Sequence, residues 1–161
     1  MRIYIESTIP SYLVARPARD LLQAARQQMT RDWWESKRHN HELFTSQIVL
    51  DEIAVGEKAM ANLRLKTLAE IPVLDATVEA AELTRQILAS GLVPKKADAD
   101  AAHIALATVH QMDILLTWNF RHIANVEIQA RLRRLVKTAG YELPTISTME
   151  EMIGELYEHN D

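Results

Sequence analysis

Five short apolar or β-prone runs recur along the chain, and a longer segment separates each run from the next. The runs lie at 3–5, 43–45, 72–74, 114–116 and 145–147. Short runs bounded by turn residues are typical of strands buried in a sheet. Strands that alternate with helical segments form a parallel sheet, because a crossover must return the chain to the same edge before each new strand. The pattern therefore predicts a parallel α/β domain.

The segment between the first two runs predicts an amphipathic helix over 19–38. Its apolar positions repeat at spacings of three and four, at Leu22, Ala25, Met29 and Trp33. Charged residues occupy the other sides, as in a helix that covers a core with one face. Trp34 points about 100° away from Trp33 on such a helix, so both rings cannot face one core. One of the two rings is therefore a candidate contact for a partner protein.

Later segments predict further helices. Residues 76–90 carry one apolar stripe and end before Gly91, a residue typical of helix ends. The segment 101–107 is apolar nearly all round, so a helix there must be covered by other elements, and Asp98 is its predicted N-cap. A basic helix is predicted over 127–139.

Composition describes a globular chain. It has 161 residues, of which 48% are hydrophobic and 25% charged, and no repeat or linker divides it. We predict a single domain over 1–157 that ends in a helix, with Thr148 and Glu151 as its capping box, and a frayed tail over 158–161. The chain shows neither a signal-peptide pattern nor a window of about 18 apolar residues, so we expect a cytoplasmic protein with no membrane partner.

Charge and cysteine content limit the possible chemistry. A formal net charge of -4 gives no bulk attraction to nucleic acid, so any binding of RNA needs a local basic patch. The absence of cysteine removes disulfides, thiol catalysis and cysteine-ligated zinc. Four glycines and no G-x-G-x-x-G after the first strand exclude a dinucleotide-binding fold.

Three acids and one amide stand beside the predicted elements. Glu6 closes the first run, Glu52 lies past the second, Asp100 opens a helix, and Asn119 follows the fourth run. Such groups converge at the carboxyl edge of a parallel sheet, where α/β folds bind their ligands. Acids gathered there repel one another, so a divalent cation is a natural occupant. Taken singly, Asp100 could instead complement a helix dipole, and Glu52 could be a solvated surface residue.

Four short segments carry a resemblance to a known family. They are E-S-T at 6–8, Ser46 with Glu52, D-A-A-H-I-A at 100–105 and T-W-N-F at 117–120. In this order they resemble a PIN domain of the VapC-like toxin type, in the subgroup that has glutamate in place of the usual first aspartate. The resemblance covers almost the whole chain. It implies a three-layer α/β/α fold whose five-stranded parallel sheet has the order 3-2-1-4-5.

The resemblance also implies an activity. Active members are endoribonucleases that depend on Mg²⁺ or Mn²⁺, often as homodimers that a small antitoxin protein inhibits. By matched position, Glu6 and Asp100 are the principal metal ligands, Glu52 is the second acid of the core set, and Asn119 completes the catalytic set. Two hydroxyl groups are implied to orient these groups by hydrogen bonds, those of Thr8 and Thr117.

Two positions depart from the family pattern. Glu6 is longer than aspartate by one methylene, so its carboxylate moves outward by about a bond length, whereas Mg²⁺ demands near-ideal octahedral distances. Asn119 removes one possible charge from the cluster, which favours one tightly bound ion over two. The departure at Glu6 bears on the metal preference and on the rate.

An RNA strand approaching an acidic cluster needs cations beside it. Lys95 and Lys96 precede Asp100, and Arg121 follows Asn119, so these three are candidate substrate-binding residues. Three cations of the next helix either extend this track or form a solvated face: Arg131, Arg134 and Lys137.

Two other residues allow two interpretations each. His103 stands three positions after Asp100, so it is either a metal ligand or a buried, hydrogen-bonded histidine. Trp118 either stacks on a base or belongs to the core.

Two other functions are also open. The chain could be a catalytically silent PIN module that binds RNA or a protein, or an unrelated phosphoryl-transfer protein, although the latter needs an acidic pair where only Glu6 stands.

Overall fold

Five parallel strands form one sheet in the order β3-β2-β1-β4-β5. The structure is a computed structural model that describes residues 1–157, with side chains described to residue 153, so the predicted frayed tail over 158–161 lies outside the described residues. The strands are β1 (Arg2–Ile5), β2 (Glu42–Ser46), β3 (Val73–Leu74), β4 (Ile114–Leu116) and β5 (Thr145–Ser147). The predicted strands and the sheet order are therefore confirmed.

Helices connect the strands and flank the sheet. They are α1 (Thr8–Val14), α2 (Leu21–Ser36), α3 (Gln47–Ile53), α4 (Lys58–Thr67), α5 (Val78–Ala89), α6 (Asp98–Val109), α7 (Val126–Thr138) and α8 (Met149–Tyr157). Among them, α5 packs against α6, α2 against α8, and α1 against both α2 and α4. None of the helices in the described part of the chain is long and apolar enough to cross a membrane.

The central strands are buried on both faces. Ile3, Ile5, Leu115 and Leu116 are 0% exposed, as expected for parallel strands covered by helices on each side. The register pairs Ile5 of β1 with Leu116 of β4. The residues that follow these strands therefore emerge side by side at the carboxyl edge of the sheet.

The buried face of α2 agrees only in part with the apolar spacing, which predicted Met29 and Trp33 correctly. Leu22 is 55% exposed and Ala25 is also exposed, whereas Gln27 and Thr30 are buried beside Trp33. The reason is that the inner face of this helix is partly polar and its polar atoms are bonded. The Gln27 amide binds the loop that follows α1, and the Thr30 hydroxyl donates to the carbonyl of Arg26 on its own helix.

The start of α6 also differs from the expectation. Asp98 is not the N-cap but the first helical residue, because a single 3₁₀ turn, Lys95–Ala97, leads directly into the helix and leaves Ala97 at the cap position. The Asp98 carboxylate accepts the N–H of Ala99. At α8, the backbone N–H of Thr148 donates to Glu151 at 3.3 Å, which is one half of the predicted capping box.

Candidate metal centre

Glu6 follows β1 and is 3% exposed. Its Oε2 accepts three hydrogen bonds, from Thr8 N at 3.0 Å, Thr8 Oγ1 at 2.5 Å and Thr117 Oγ1 at 2.8 Å. Thr117 reaches Glu6 because it follows Leu116, the register partner of Ile5. All the hydrogen bonds that described residues give to this carboxylate go to Oε2. One oxygen is thus fixed by the protein, and Oε1 remains for another ligand.

Glu52 reaches the same edge from α3 rather than from a strand end. Ser46 ends β2 and caps α3, since its Oγ accepts the N–H of Val49 at 3.3 Å. The helix then carries Glu52 back over the sheet edge. There its Oε1 accepts a hydrogen bond from Ser7 Oγ at 2.6 Å. The same oxygen lies 2.6 Å from His103 Nε2. The sequence places Glu52 six residues beyond the strand, and only the turn into α3 explains how it returns.

The pKa of Glu52 reflects these contacts. Burial alone would raise the pKa of the carboxyl group, but the hydrogen bond and charge of His103, with the Ser7 hydroxyl, lower it below its usual value. Its side chain is 37% exposed, so solvent screens part of this effect. Glu52 is therefore an ionised carboxylate, suited to bind a cation and a weak acceptor of protons.

His103 is completely buried between two partners. Its Nδ1 lies 2.7 Å from the Tyr4 hydroxyl, which also lies 2.7 Å from Ser46 Oγ, and its Nε2 faces Glu52. Burial opposes the charged form, but the hydrogen bond to Glu52 and the charges of Glu6, Glu52 and Asp100 raise the pKa of His103 overall. When it is protonated, His103 donates to both Glu52 and Tyr4. Of the two interpretations, the buried and hydrogen-bonded histidine is the one found.

The ligand atoms of Glu6, Glu52 and His103 all lie within 4.8 Å of one another. Distance alone would make all three ligands of one ion. His103 is a poor ligand, because both of its nitrogens are already bonded and a metal-bound nitrogen must lose its proton, whereas the surrounding acids favour protonation. The two carboxylates are therefore the better candidates for binding a cation. His103 orients Glu52, as second partners of metal ligands commonly do.

Asp100 lies in the first turn of α6, beside this pair but outside the 4.8 Å group. Its Oδ1 accepts from Asn119 Nδ2 at 3.1 Å. Burial raises the pKa of Asp100 and the charge of Glu52 adds to this, while His103, Asn119 and His122 act in the opposite direction and reduce the rise. A carboxyl group with a raised pKa gains from a neighbouring cation, because the cation compensates the lost hydration.

Asn119 fixes the loop after β4. Its Oδ1 accepts the N–H groups of Arg121 and His122 at 3.2 and 3.1 Å, and its own N–H donates to Thr117 Oγ1 at 2.9 Å. With the bond to Asp100, the amide oxygen and the amide nitrogen are both used. The observed role of Asn119 is therefore to hold Asp100 and the loop.

The candidate substrate-binding cations lie on the surface near these residues. Lys95 and Lys96 are exposed in the turn that leads into α6, and Arg121 is exposed in the loop that Asn119 fixes. Three cations of α7 are exposed as well: Arg131, Arg134 and Lys137. Their exposure fits both a track for RNA and a solvated face.

Thr8 links the ends of two strands, and its loss should be measurable. Besides its bond to Glu6, Thr8 Oγ1 accepts the N–H of Trp118 at 2.8 Å. Thr8→Val keeps the shape but leaves that buried N–H without an acceptor, so we expect a loss of about 1–2 kcal/mol in the free energy of unfolding. Urea denaturation measures it, with Thr138→Val as control, since the Thr138 hydroxyl binds only the carbonyl of its own helix. Equal losses in the two variants would contradict the linking role.

The site also contains residues that the sequence did not mark as functional. Tyr4 was recognised only as a strand residue, although a buried tyrosine needs a partner for its hydroxyl. That requirement is the signal that points to His103. The sequence assigned no role of its own to Ser7, although its hydroxyl donates a hydrogen bond to Glu52.

Comparison with solved structures gives a similar fold. The chain matches a chain in the crystal structure of VapBC2 from Rickettsia felis bound to a DNA fragment from its promoter, with a TM-score of 0.59 and 15% sequence identity, over 92% of this chain and 98% of that chain. This protein has a PIN-like fold. No family model matches the sequence, and no curated protein matches it. At this identity the likeness concerns the arrangement of the backbone, and the function must be argued from the side chains.

Proposed function

We propose that this protein is a metal-dependent endoribonuclease that hydrolyses RNA phosphodiesters in the cytoplasm. The observation that carries the proposal is the state of Glu6, a buried carboxylate with one oxygen fixed by three donors and the other accepting no hydrogen bond from a described residue. Glu52 lies beside it, and Asp100 lies close enough to Glu52 to feel its charge. A buried carboxylate needs a positive partner, and carboxylate oxygens are the ligands that Mg²⁺ and Mn²⁺ prefer.

Each residue has a role in this proposal. Glu6, Glu52 and Asp100 hold the ion, directly or through water, and Asn119 keeps Asp100 in place. Thr8 and Thr117 fix the rotation of the Glu6 carboxylate. A divalent ion, when bound, lowers the pKa of a coordinated water and neutralises charge on the phosphate. The lowered pKa of Glu52 favours a ligand over a general base, because a carboxylate whose pKa is lowered by His103 and Ser7 accepts a proton weakly.

The RNA must pass positive side chains to reach these acids. Lys95 and Lys96 on one side, and Arg121 on the other, are the proposed phosphate contacts. The chain has a formal net charge of -4, so such local cations must offset the bulk repulsion of the RNA. The salt dependence of the KM for RNA would report how many of them are used.

We further propose that the protein is the toxin of a type II toxin-antitoxin pair. The support is the likeness of its fold to a VapBC2 chain over nearly the full length of both chains. The expected partners are a small antitoxin protein and a second copy of the chain in a homodimer. Expression of the free toxin should then arrest growth, and co-expression of the antitoxin should restore it.

A catalytically silent module that binds RNA or a partner protein is the second candidate. One observation favours it: the acids are already bonded within the protein, Glu52 to Ser7 and His103, and Asp100 to Asn119. Such a cluster can persist without a cation. Affinity for metal separates the two candidates, since the silent module needs none.

The deciding experiment is cleavage of a fluorophore- and quencher-labelled RNA by the purified chain. We expect cleavage in Mn²⁺ or Mg²⁺, complete loss in excess chelator, and recovery when excess Mn²⁺ is returned, because the attacking water and the phosphate both depend on the ion. Calorimetry of the same sample should show Mn²⁺ binding. Cleavage that persists in chelator contradicts the metal mechanism. A sample that neither binds Mn²⁺ nor cleaves RNA supports the silent module.

A further inference from the structure

A cluster of three rings and one guanidinium lies beside the carboxylates, and it consists of Tyr12, Trp118, Phe120 and Arg26. Trp118 is 3% exposed, and its ring stacks on Tyr12 with a centroid distance of 5.4 Å and an interplanar angle of 14°. Its Nε1 donates to Thr30 Oγ1 at 2.9 Å. Of the two interpretations of Trp118, the core residue is the one found, and its ring is too buried to stack on a base.

Phe120 differs from Trp118 in its exposure. Phe120 is 41% exposed, so it is one of the exposed large hydrophobic residues. The Arg26 guanidinium carbon lies 4.6 Å from the ring centroid, and the tilted ring of Trp118 lies at 6.0 Å. Arg26 is in turn held by Glu150, with 3.6 Å between Nε and Oε1. The ring therefore contacts a guanidinium and an indole, while part of it faces solvent.

The backbone on either side of Phe120 is fixed as well. Asn119 accepts the N–H groups of Arg121 and His122, and it donates to Asp100 at 3.1 Å. The exposed ring is thus covalently attached to the residue that holds one of the proposed metal ligands. A ring held in this way loses little conformational entropy when it binds a ligand.

We propose that Phe120 is a base-stacking residue, which binds one base of single-stranded RNA next to the scissile phosphate. The inference rests on the proposed ribonuclease function. Single-stranded RNA is recognised largely by unstacked bases that lie on aromatic rings, and every base offers a flat face to such a ring. Phe120 is followed by Arg121, an exposed cation for the adjacent phosphate. Because its chain neighbours Asn119 and Arg121 are both polar, the surface around the ring suits a charged strand with flat bases.

Binding without cleavage tests this directly. The probe is a short, fluorescein-labelled single-stranded RNA, titrated by anisotropy in excess chelator, where the proposed reaction cannot proceed. Phe120→Leu removes the aromatic face and keeps an apolar side chain, and we expect it to weaken binding by about 5- to 150-fold, the range measured for single base–aromatic stacks. Phe120→Trp should bind as tightly as wild type. Val126→Ala is the control, because Val126 is 80% exposed but lacks a ring.

An abasic scan of the probe identifies the stacked base. At one position, loss of the base should weaken wild-type binding and abolish the difference between wild type and Phe120→Leu. If Phe120→Leu binds the probe like wild type and cleaves RNA with an unchanged KM, the stacking role is wrong and the nuclease stands. If wild type neither binds the probe nor cleaves RNA, the proposed function fails with it. A melting temperature equal to that of wild type shows that Phe120→Leu remains folded.

Discussion

Asp100→Asn should lower the rate of RNA cleavage by at least about 10²- to 10³-fold and leave the fold intact. The loss follows because a charged ligand of the ion is replaced by a neutral amide, and metal-bound charge contributes several kcal/mol to stabilising such a transition state. The fold should survive because the substitution keeps the shape of the side chain. The new amide oxygen can still accept from Asn119, and burial already disfavours the charge of Asp100.

Asp98→Asn is the matched control. Asp98 lies in the same first turn of α6, loses the same charge on substitution, and is exposed. Single-turnover cleavage rates of the two variants and of wild type, at saturating Mn²⁺, separate a specific effect from a change in helix or surface charge. Similar rates in Asp100→Asn and wild type would remove Asp100 from the site. The same pair of variants tests the toxin proposal, since induction of Asp98→Asn should arrest growth and induction of Asp100→Asn should not.

The strands were predictable because their signal is local. Each of the five runs is short and apolar or β-prone, and the buried central strands are recognisable from that alone. The order of the strands came from the resemblance to PIN domains, since an apolar run does not indicate which other strands lie beside it in the sheet. Several helices were not predicted at all, and α1 and α3 have only seven residues each, less than the length over which periodicity becomes clear.

The prediction for α2 was only partly right about its buried face, because periodicity measures only apolar residues: Trp33 and Met29 pack into the core as expected, whereas Leu22 and Ala25 do not. Gln27 and Thr30 are buried through bonds to a loop and to backbone, and nothing in their spacing distinguishes them from surface polar residues. Leu22 in contrast is exposed although it fits the apolar pattern. Buried polar side chains become recognisable only when their partners are known.

The sequence pointed to some residues of the candidate site but not to the hydrogen bonds that join them. Glu6, Glu52, Asp100 and Asn119 could be selected from their positions beside strands and from the resemblance. The pairing of Glu52 with His103 spans 51 residues, and it depends on the turn by which α3 leaves β2. The network from Ser46 through Tyr4 and His103 to Glu52 is a property of the folded chain, because its members come from four different elements.

His103→Ala should lower the free energy of unfolding by about 3 kcal/mol. Three effects combine: a cavity forms where the buried ring stood, the Tyr4 hydroxyl loses one of its two partners, and Glu52 loses its cation. The contribution of Glu52 is the smallest of the three, because its side chain is 37% exposed and water replaces part of the lost interaction. Chemical denaturation in excess chelator measures the change without interference from bound metal.

His110→Ala is the control, since His110 lies at the end of the same helix and its Nε2 bonds only the backbone carbonyl of Asp75, in an exposed position. We expect a loss below about 1 kcal/mol there. A comparable loss in both variants would mean that the buried network adds nothing to the ordinary effect of removing an imidazole.

The pH dependence of the difference between wild type and His103→Ala provides a second check. The pKa of His103 is raised on folding, so its contribution is complete below the unfolded value of 6.5 and is lost as the pH rises through the folded pKa. The pKa of Glu52 is lowered, so its contribution is complete above the unfolded value of 4.5 and is lost as the pH falls through the folded pKa. The stability difference should therefore be largest between pH 4.5 and 6.5 and decline on both sides. A difference that is constant from acid to alkaline pH would show that packing alone, and not the charged pair, accounts for the role of His103.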